Sequence, residues 1–236
     1  MPSILLALTS HAELGDTGRR TGFHVPEAAR VHRVLAGAGY QVDFTSVQGG
    51  DPPRDEAESG DPQAAAFLRD HADVLAGTAA PGSLNAADYA AIFYVGGHGA
   101  MWDFPDCAEL AALAVRIYQA GGVIGAVCHG QAGLVNLELD DGRYLVSGKR
   151  LTSFTNAEEA HAGMSGVVPF SLQDRLTERG ACFTMMPKFT EHAIADGRLV
   201  TGQNPASAAL AAGQVVLALA RSRGPAPARR GRHARD

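Results

Sequence analysis

The stretch Gly121-Gly122-Val123-Ile124-Gly125-Ala126-Val127-Cys128-His129-Gly130-Gln131-Ala132-Gly133 constrains this chain more than any other. A glycine pair opens an apolar run, Val123 to Val127, which reads as a buried strand bounded by a turn. The run stops at Cys128-His129-Gly130, and an Ala/Gly/Leu segment suited to a helix start comes next. A strand that turns sharply into a helix lifts one side chain above the sheet. It also points backbone N–H groups at whatever that side chain attacks. Here that side chain is a thiol, and a histidine is its neighbour in the chain. A lone cysteine is more often a small buried hydrophobe. The flanking glycines and His129 turn the reading towards a catalytic cysteine.

The rest of the chain supplies a sheet for that strand. Ile4 to Leu8 is a short apolar run of the kind found in buried parallel strands. A helical pattern starts at Pro26, with Ala28, Val31, Val34 and Leu35 at helical spacing before Gly37 and Gly39. Tyr40 to Phe44 then alternates as a strand, and this β-α-β opening predicts a parallel, doubly wound α/β sheet. Ala90 to Val95 is a further strand, running into Gly96-Gly97-His98-Gly99. Helices are expected over 63–75, 106–119 and 169–179, with a start capped by Asn156 and a last helix over 205–219. Strands are expected at 151–154, 182–184, 192–195 and 199–201. No internal repeat or second domain is visible. The expectation is one α/β domain with insertions over residues 1–220, then a tail at 221–236.

That tail holds six arginines against one aspartate, +5, so the body carries −10 of the total −5. Its Pro, Gly and Arg content reads as disorder, and an acidic body argues against a nucleic-acid partner. No apolar run reaches the roughly 18 residues of a membrane span. Three cysteines (Cys107, Cys128, Cys182) indicate no disulfide framework, so a reducing cytoplasm is the expected location.

A free thiol has a pKa of about 8.5 and needs help to become a nucleophile. A helix N-terminus at the elbow would lower it, and an imidazole would move its proton. The backbone N–H of His129 is placed for an oxyanion hole, whether or not its ring acts on the thiol. The glycine turn after the preceding strand offers a second donor at Gly97 or His98. Glu27, in the first turn of the first helix, and Glu158 and Glu159, in the first turn of a later one, are ordinary helix-dipole residues when read alone. His24, His32, His71, His161 and His192 read as surface or satisfied core residues, since none sits in a compact ligand spacing. Cys107, at a helix start, has mild reactivity at most, and Cys182 reads as packing.

Together these residues resemble the PfpI-type superfamily of class I glutamine-amidotransferase-like proteins, and within it the glyoxalase III, heat-shock-protein-31-like branch. The resemblance spans roughly residues 3 to 220. It rests on Ala126-Val127-Cys128-His129-Gly130, Thr21-Gly22-Phe23 with Pro26-Glu27-Ala28, Gly97-His98-Gly99, Phe154-Thr155-Asn156 with Glu158-Glu159, and Gly202-Gln203-Asn204-Pro205-Ala206-Ser207. It implies a flavodoxin-like, mostly parallel sheet flanked by helices, in a homodimer. It also implies a catalytic set of Cys128, His129 and Glu159, with Glu158 as competitor for the acidic role and Glu27 beside the thiol. Gly97 and the His129 N–H match the oxyanion positions. The implied activity is cofactor-independent conversion of methylglyoxal, a small aldehyde, to D-lactate, with no metal, glutathione or nucleotide required. Holdase chaperoning, protein deglycation or another cysteine-hydrolase activity is the alternative. The chain departs from the branch at Gln131, where many relatives have proline. At Met186-Pro187-Lys188-Phe189, relatives commonly place an aromatic residue in the cleft. A glutamine amidotransferase proper is disfavoured, since no His-x-Glu comes after Cys128.

Overall fold

The computed structural model describes residues 3–55 and 60–222. Its sheet comprises β1 (Ser3–Leu8), β2 (Val42–Ser46), β3 (Tyr89–Tyr94), β4 (Val123–Val127), β5 (Ala193–Asp196) and β6 (Leu199–Gly202). The spatial order is β2-β1-β3-β4-β6-β5. All neighbours run parallel except the β5–β6 hairpin at one edge. The helices longer than four residues are α1 (Val25–Gly37), α2 (Pro62–Asp70), α3 (Ala108–Gln119), α4 (Asn156–His161), α5 (Leu172–Glu178) and α6 (Ala208–Ser222).

The apolar run of β1 results from burial on both faces. Ile4, Leu6 and Leu8 pack with Ala28, Val31 and Leu35 of α1 and Ala211, Ala212 and Val215 of α6. Leu5 and Ala7 face the opposite way, towards Leu110, Leu113 and Ile117 of α3. A strand covered on both sides has no position for a polar residue, so its sequence does not alternate. Each fully buried leucine or isoleucine there contributes about 2 kcal/mol of transfer free energy. The chain leaves β1 for β2 on one side and later takes up β3 and β4 on the other. That reversal opens a crevice at the C-terminal ends of the strands, the usual location of a site in such sheets. The Gly96–Gly99 turn and Cys128 both sit there.

Several expected elements differ in detail. The helix expected over 63–75 is broken at His71, and α2 starts one residue earlier behind an Asp61 cap whose carboxylate accepts the Gln63 and Ala64 N–H groups. The strand expected at 151–154 is limited to Arg150–Leu151, because Thr152 and Phe154 give their N–H groups to Thr201 Oγ1 and the Cys128 carbonyl. Thr155, not Asn156, caps α4, in a reciprocal capping box with Glu158. The helix expected over 169–179 is shortened to α5 behind a Ser171 cap. The last helix starts at Ala208, after a 3-10 turn at Pro205–Ser207, and runs to Ser222. It therefore takes in the first two residues of the expected tail; residues 223–236 lie outside the described residues. Among the described residues no helix is long and apolar enough to cross a membrane.

Candidate active site

Cys128 follows β4 directly, with φ of 61°, a left-handed conformation that costs a non-glycine residue about 1–2 kcal/mol. Its neighbours hold it there: the Cys128 N–H donates to Gly202 O, and its carbonyl accepts the Phe154 N–H. The chain then turns under the sheet at Gly130, where a Cβ would lie 2.3 Å from the Tyr94 carbonyl oxygen. No other residue type fits that approach. The chain continues as a 3-10 turn, Gly130–Leu134, and not as the expected α-helix start. The site therefore lacks a long helix dipole aimed at the sulfur.

The elbow nonetheless places the His129 ring against the thiol. Its Nδ1 lies 3.3 Å from Cys128 Sγ, and its Nε2 lies 2.8 Å from Glu159 Oε2. A carboxylate accepts only from an N–H, so the network assigns the ring proton to Nε2 and leaves Nδ1 free to take the thiol proton. Burial and the adjacent His98 lower the His129 pKa, which keeps the ring neutral. Glu159 feels burial as an upward push, but hydrogen bonds from His129 and His98 outweigh it and hold the carboxyl at about 2. His98 reaches the other oxygen of the same carboxylate at 3.3 Å. The Gly97 backbone that carries His98 has φ of 109°, and a Cβ there would meet the Gly22 carbonyl at 2.2 Å.

Glu27 comes from the opposite wall. Pro26 and a cap from His24, whose Nδ1 accepts the Glu27 N–H, start α1 so that Glu27 falls in its first turn. The side chain is fully buried. Oε2 accepts the Gly96 N–H at 2.9 Å, and the carboxyl lies beside Cys128, both flanking Gly96. Burial dominates and raises its pKa to about 8, so it holds a proton at neutral pH. Cys128 is itself pushed up, first by burial and then by the carboxylate charges of Glu27 and Glu159. The lowered thiol pKa expected at a helix N-terminus is therefore not found. The turn is too short, and the surroundings exclude water from a group with 4% exposure. The resting state is a neutral thiol with a base on one side and an acid on the other.

The structure thus brings Cys128, His129, Glu159, His98 and Glu27 into one cluster. Glu158 turns away. Its Oε2 accepts the Thr155 N–H and hydroxyl, and its Oε1 accepts from Phe189 N, Gln203 Nε2 and Asn204 Nδ2. It is an anchor for three segments, a role its helix position did not disclose. Gln131 lies beneath the elbow and ties it to the Thr152 and Gly202 carbonyls. Sequence reasoning also missed His24 and Phe154, whose ring lies 4.4 Å from that of His129. The Phe-Thr-Asn-Ala-Glu-Glu run was the available signal for Phe154. Phe189, with φ of 58° and 45% exposure, is the aromatic residue at the rim, 6.2 Å from Phe154. Cys182 is exposed, against the expectation of packing. Cys107 is buried at the start of α3, with its pKa raised by burial. His32 and His71 are half-buried and pack their rings against Phe44 and Phe67, away from the site.

Comparison with known proteins agrees with this geometry. The DJ-1/PfpI family model matches residues 21–218. The glutathione-independent glyoxalase HSP31 of Saccharomyces cerevisiae is 34% identical over 224 residues, covering 87% of this chain and 92% of that protein. Glyoxalase 3 of Candida albicans is 30% identical, covering 92% of this chain and 98% of its own. Among solved structures, the Rapid Encystment Protein 24 kDa of Francisella tularensis superposes with a TM-score of 0.89 at 33% identity, covering 93% and 99% of the two chains. Glyoxalase III from Candida albicans gives 0.84 at 30%, covering 92% and 97%. The matched span takes in the elbow, both carboxylate walls and the strands that carry them, and the chain belongs to the DJ-1/PfpI family.

Proposed function

We propose that this protein is a glutathione-independent glyoxalase that converts methylglyoxal and related 2-oxoaldehydes to 2-hydroxy acids, D-lactate in the case of methylglyoxal. The observation that carries the reading is the neutral thiol of Cys128 held between an imidazole with a free Nδ1 and a protonated, fully buried Glu27.

His129 Nδ1 takes the thiol proton as Sγ adds to the aldehyde carbon, forming a C–S bond. The developing oxyanion is met by the N–H groups of Gly97 and His129, and Glu27 supplies a proton to it. The hydrogen on the former aldehyde carbon then leaves as a proton, and its electron pair forms an enediol. Reprotonation at the neighbouring carbon leaves a thioester of Cys128. Water cleaves the thioester, releasing the hydroxy acid and restoring the thiol. His129 and Glu27 shuttle the protons, while Glu159 holds the imidazole in the tautomer required. Among the described residues, the hydrogen bonds that hold the cluster together come from histidine rings and the Gly96 N–H, which favours an uncharged substrate. Three free thiols fit a reducing cytoplasm. A homodimer belongs to the same reading, and light scattering on the purified protein measures it.

The test is methylglyoxal consumption without glutathione, with chiral analysis of the lactate. Cys128→Ala is expected to abolish turnover. A Cys128→Ala protein that keeps the wild-type rate would falsify the mechanism.

A further inference from the structure

His98, His129 and Glu159 come from three separate segments, and their spacing in sequence carries no metal signature. The fold gathers them so that one donor atom from each lies within 4.8 Å of the others. His98 Nε2 lies 3.3 Å from Oε1 of the Glu159 carboxylate, and His129 Nε2 lies 2.8 Å from its Oε2. Such distances match those between neighbouring ligands around a small ion whose N and O ligands each lie about 2.0–2.2 Å away. Two imidazoles and one carboxylate are also the donor set that suits zinc and similar borderline cations.

The positions of these groups are fixed before any ion arrives. The His129 ring is held between His98, at 4.3 Å, and Phe154, at 4.4 Å. The His98 side chain is 21% exposed against 1% for His129 and 8% for Glu159, so it marks the way in from solvent. Cys128 Sγ faces Nδ1, the opposite nitrogen of His129. The sulfur therefore stands apart from the three donors.

We propose that His98 Nε2, His129 Nε2 and a Glu159 oxygen form a binding site for a divalent cation of the zinc class, and that its occupation switches the thiol chemistry off. An ion on Nε2 takes that nitrogen's lone pair and places the ring proton on Nδ1, facing the sulfur. No lone pair then remains to accept the thiol proton. The inhibitory half of the proposal rests on the reading of His129 as the base; the binding half does not.

The experiment uses the full chain, reduced and stripped with EDTA, titrated with zinc chloride in a calorimeter while glutathione-free methylglyoxal turnover is monitored. The expected result is one ion per chain, turnover reduced about tenfold or more at saturation, and recovery when EDTA is added. Cobalt(II) in place of zinc is expected to give the absorption of a nitrogen–oxygen site with no thiolate charge-transfer band. His98→Ala and Glu159→Gln each weaken zinc binding about tenfold or more, whereas Cys128→Ser binds zinc as the wild type does. Absence of bound zinc, a thiolate band with cobalt, or loss of zinc in Cys128→Ser overturns the site. If His98→Ala fails to fold, the cobalt spectrum of the wild type decides the same question. Zinc bound at full turnover overturns the inhibitory half alone. A zinc-free wild type that never consumes methylglyoxal overturns the proposed activity, while calorimetry still decides the site.

Discussion

The two walls of the cleft each bury glutamate, α1 carrying Glu27 and α4 carrying Glu158 and Glu159. Glu27 and Glu159 lie on either side of the same thiol–imidazole pair, but they hold protons in opposite ways. Glu27 has one backbone N–H on Oε2 and a thiol beside it, so burial wins and the carboxyl stays protonated to about pH 8. Glu159 has an imidazole on each oxygen, so the hydrogen bonds win and it is ionised down to about pH 2. Burial by itself therefore does not set the charge of an acid; the number and kind of donors that accompany it into the interior do. In the proposed mechanism one wall serves as a proton donor and the other as a fixed anion, the division of labour a thiol addition would use.

The strongest test of this contrast is Glu27→Gln. It keeps the shape and the hydrogen bonding but removes the transferable proton, and it is expected to lower kcat/KM about a thousandfold. A rate near wild type would show that the α1 wall is structural. Next in size is Glu158→Ala. Five donors lose their common acceptor, and the expected loss of folding stability is about 3 kcal/mol, read as a lower denaturant midpoint. Glu159→Gln should cost about a hundredfold in kcat/KM, since the imidazole loses its orienting anion but keeps its place against the thiol. If it matched Glu27→Gln in its pH profile, the two walls would not be doing different jobs.

The smallest effect is a pH dependence. The wild-type kcat/KM should fall about tenfold per unit above about pH 8, as Glu27 loses its proton and puts a charge beside the sulfur. Glu27→Gln should lack this limb. Stability should track the same group. Its folded pKa of about 8 exceeds its ordinary value of 4.5, so its contribution is complete below 4.5 and is lost as pH rises through about 8. The melting temperature of the wild type should therefore drop across that window more than that of Glu27→Gln. Glu159 has the opposite sign: its contribution is present above 4.5 and lost as pH falls through about 2.

Much of the frame could be read from local pattern. The runs at β1, β3 and β4 are apolar because both faces are covered, and short apolar runs between glycines are hard to place anywhere but in a buried sheet. The breaks were harder to see. Nothing in the Gln63–Leu75 pattern marks the interruption at His71, and nothing near Gly130 distinguishes a 3-10 turn from a helix start. In both places the outcome depends on what packs against the turn.

By itself, the sequence determined the α/β order of the elements, the strand-to-turn position of Cys128 and the adjacency of His129, since these derive from periodicity and from glycine's freedom. It also singled out the resemblance that paired Glu159 with His129. Only the tertiary structure decided which glutamate holds a proton, which one anchors the Phe189 segment, and that His98 shares Glu159 with His129. Those properties depend on desolvation and on donors that arrive from distant parts of the chain, such as Gly96 on Glu27, 69 residues apart. A carboxyl group's burial and its hydrogen-bond partners are quantities of three-dimensional space, and no local pattern encodes them.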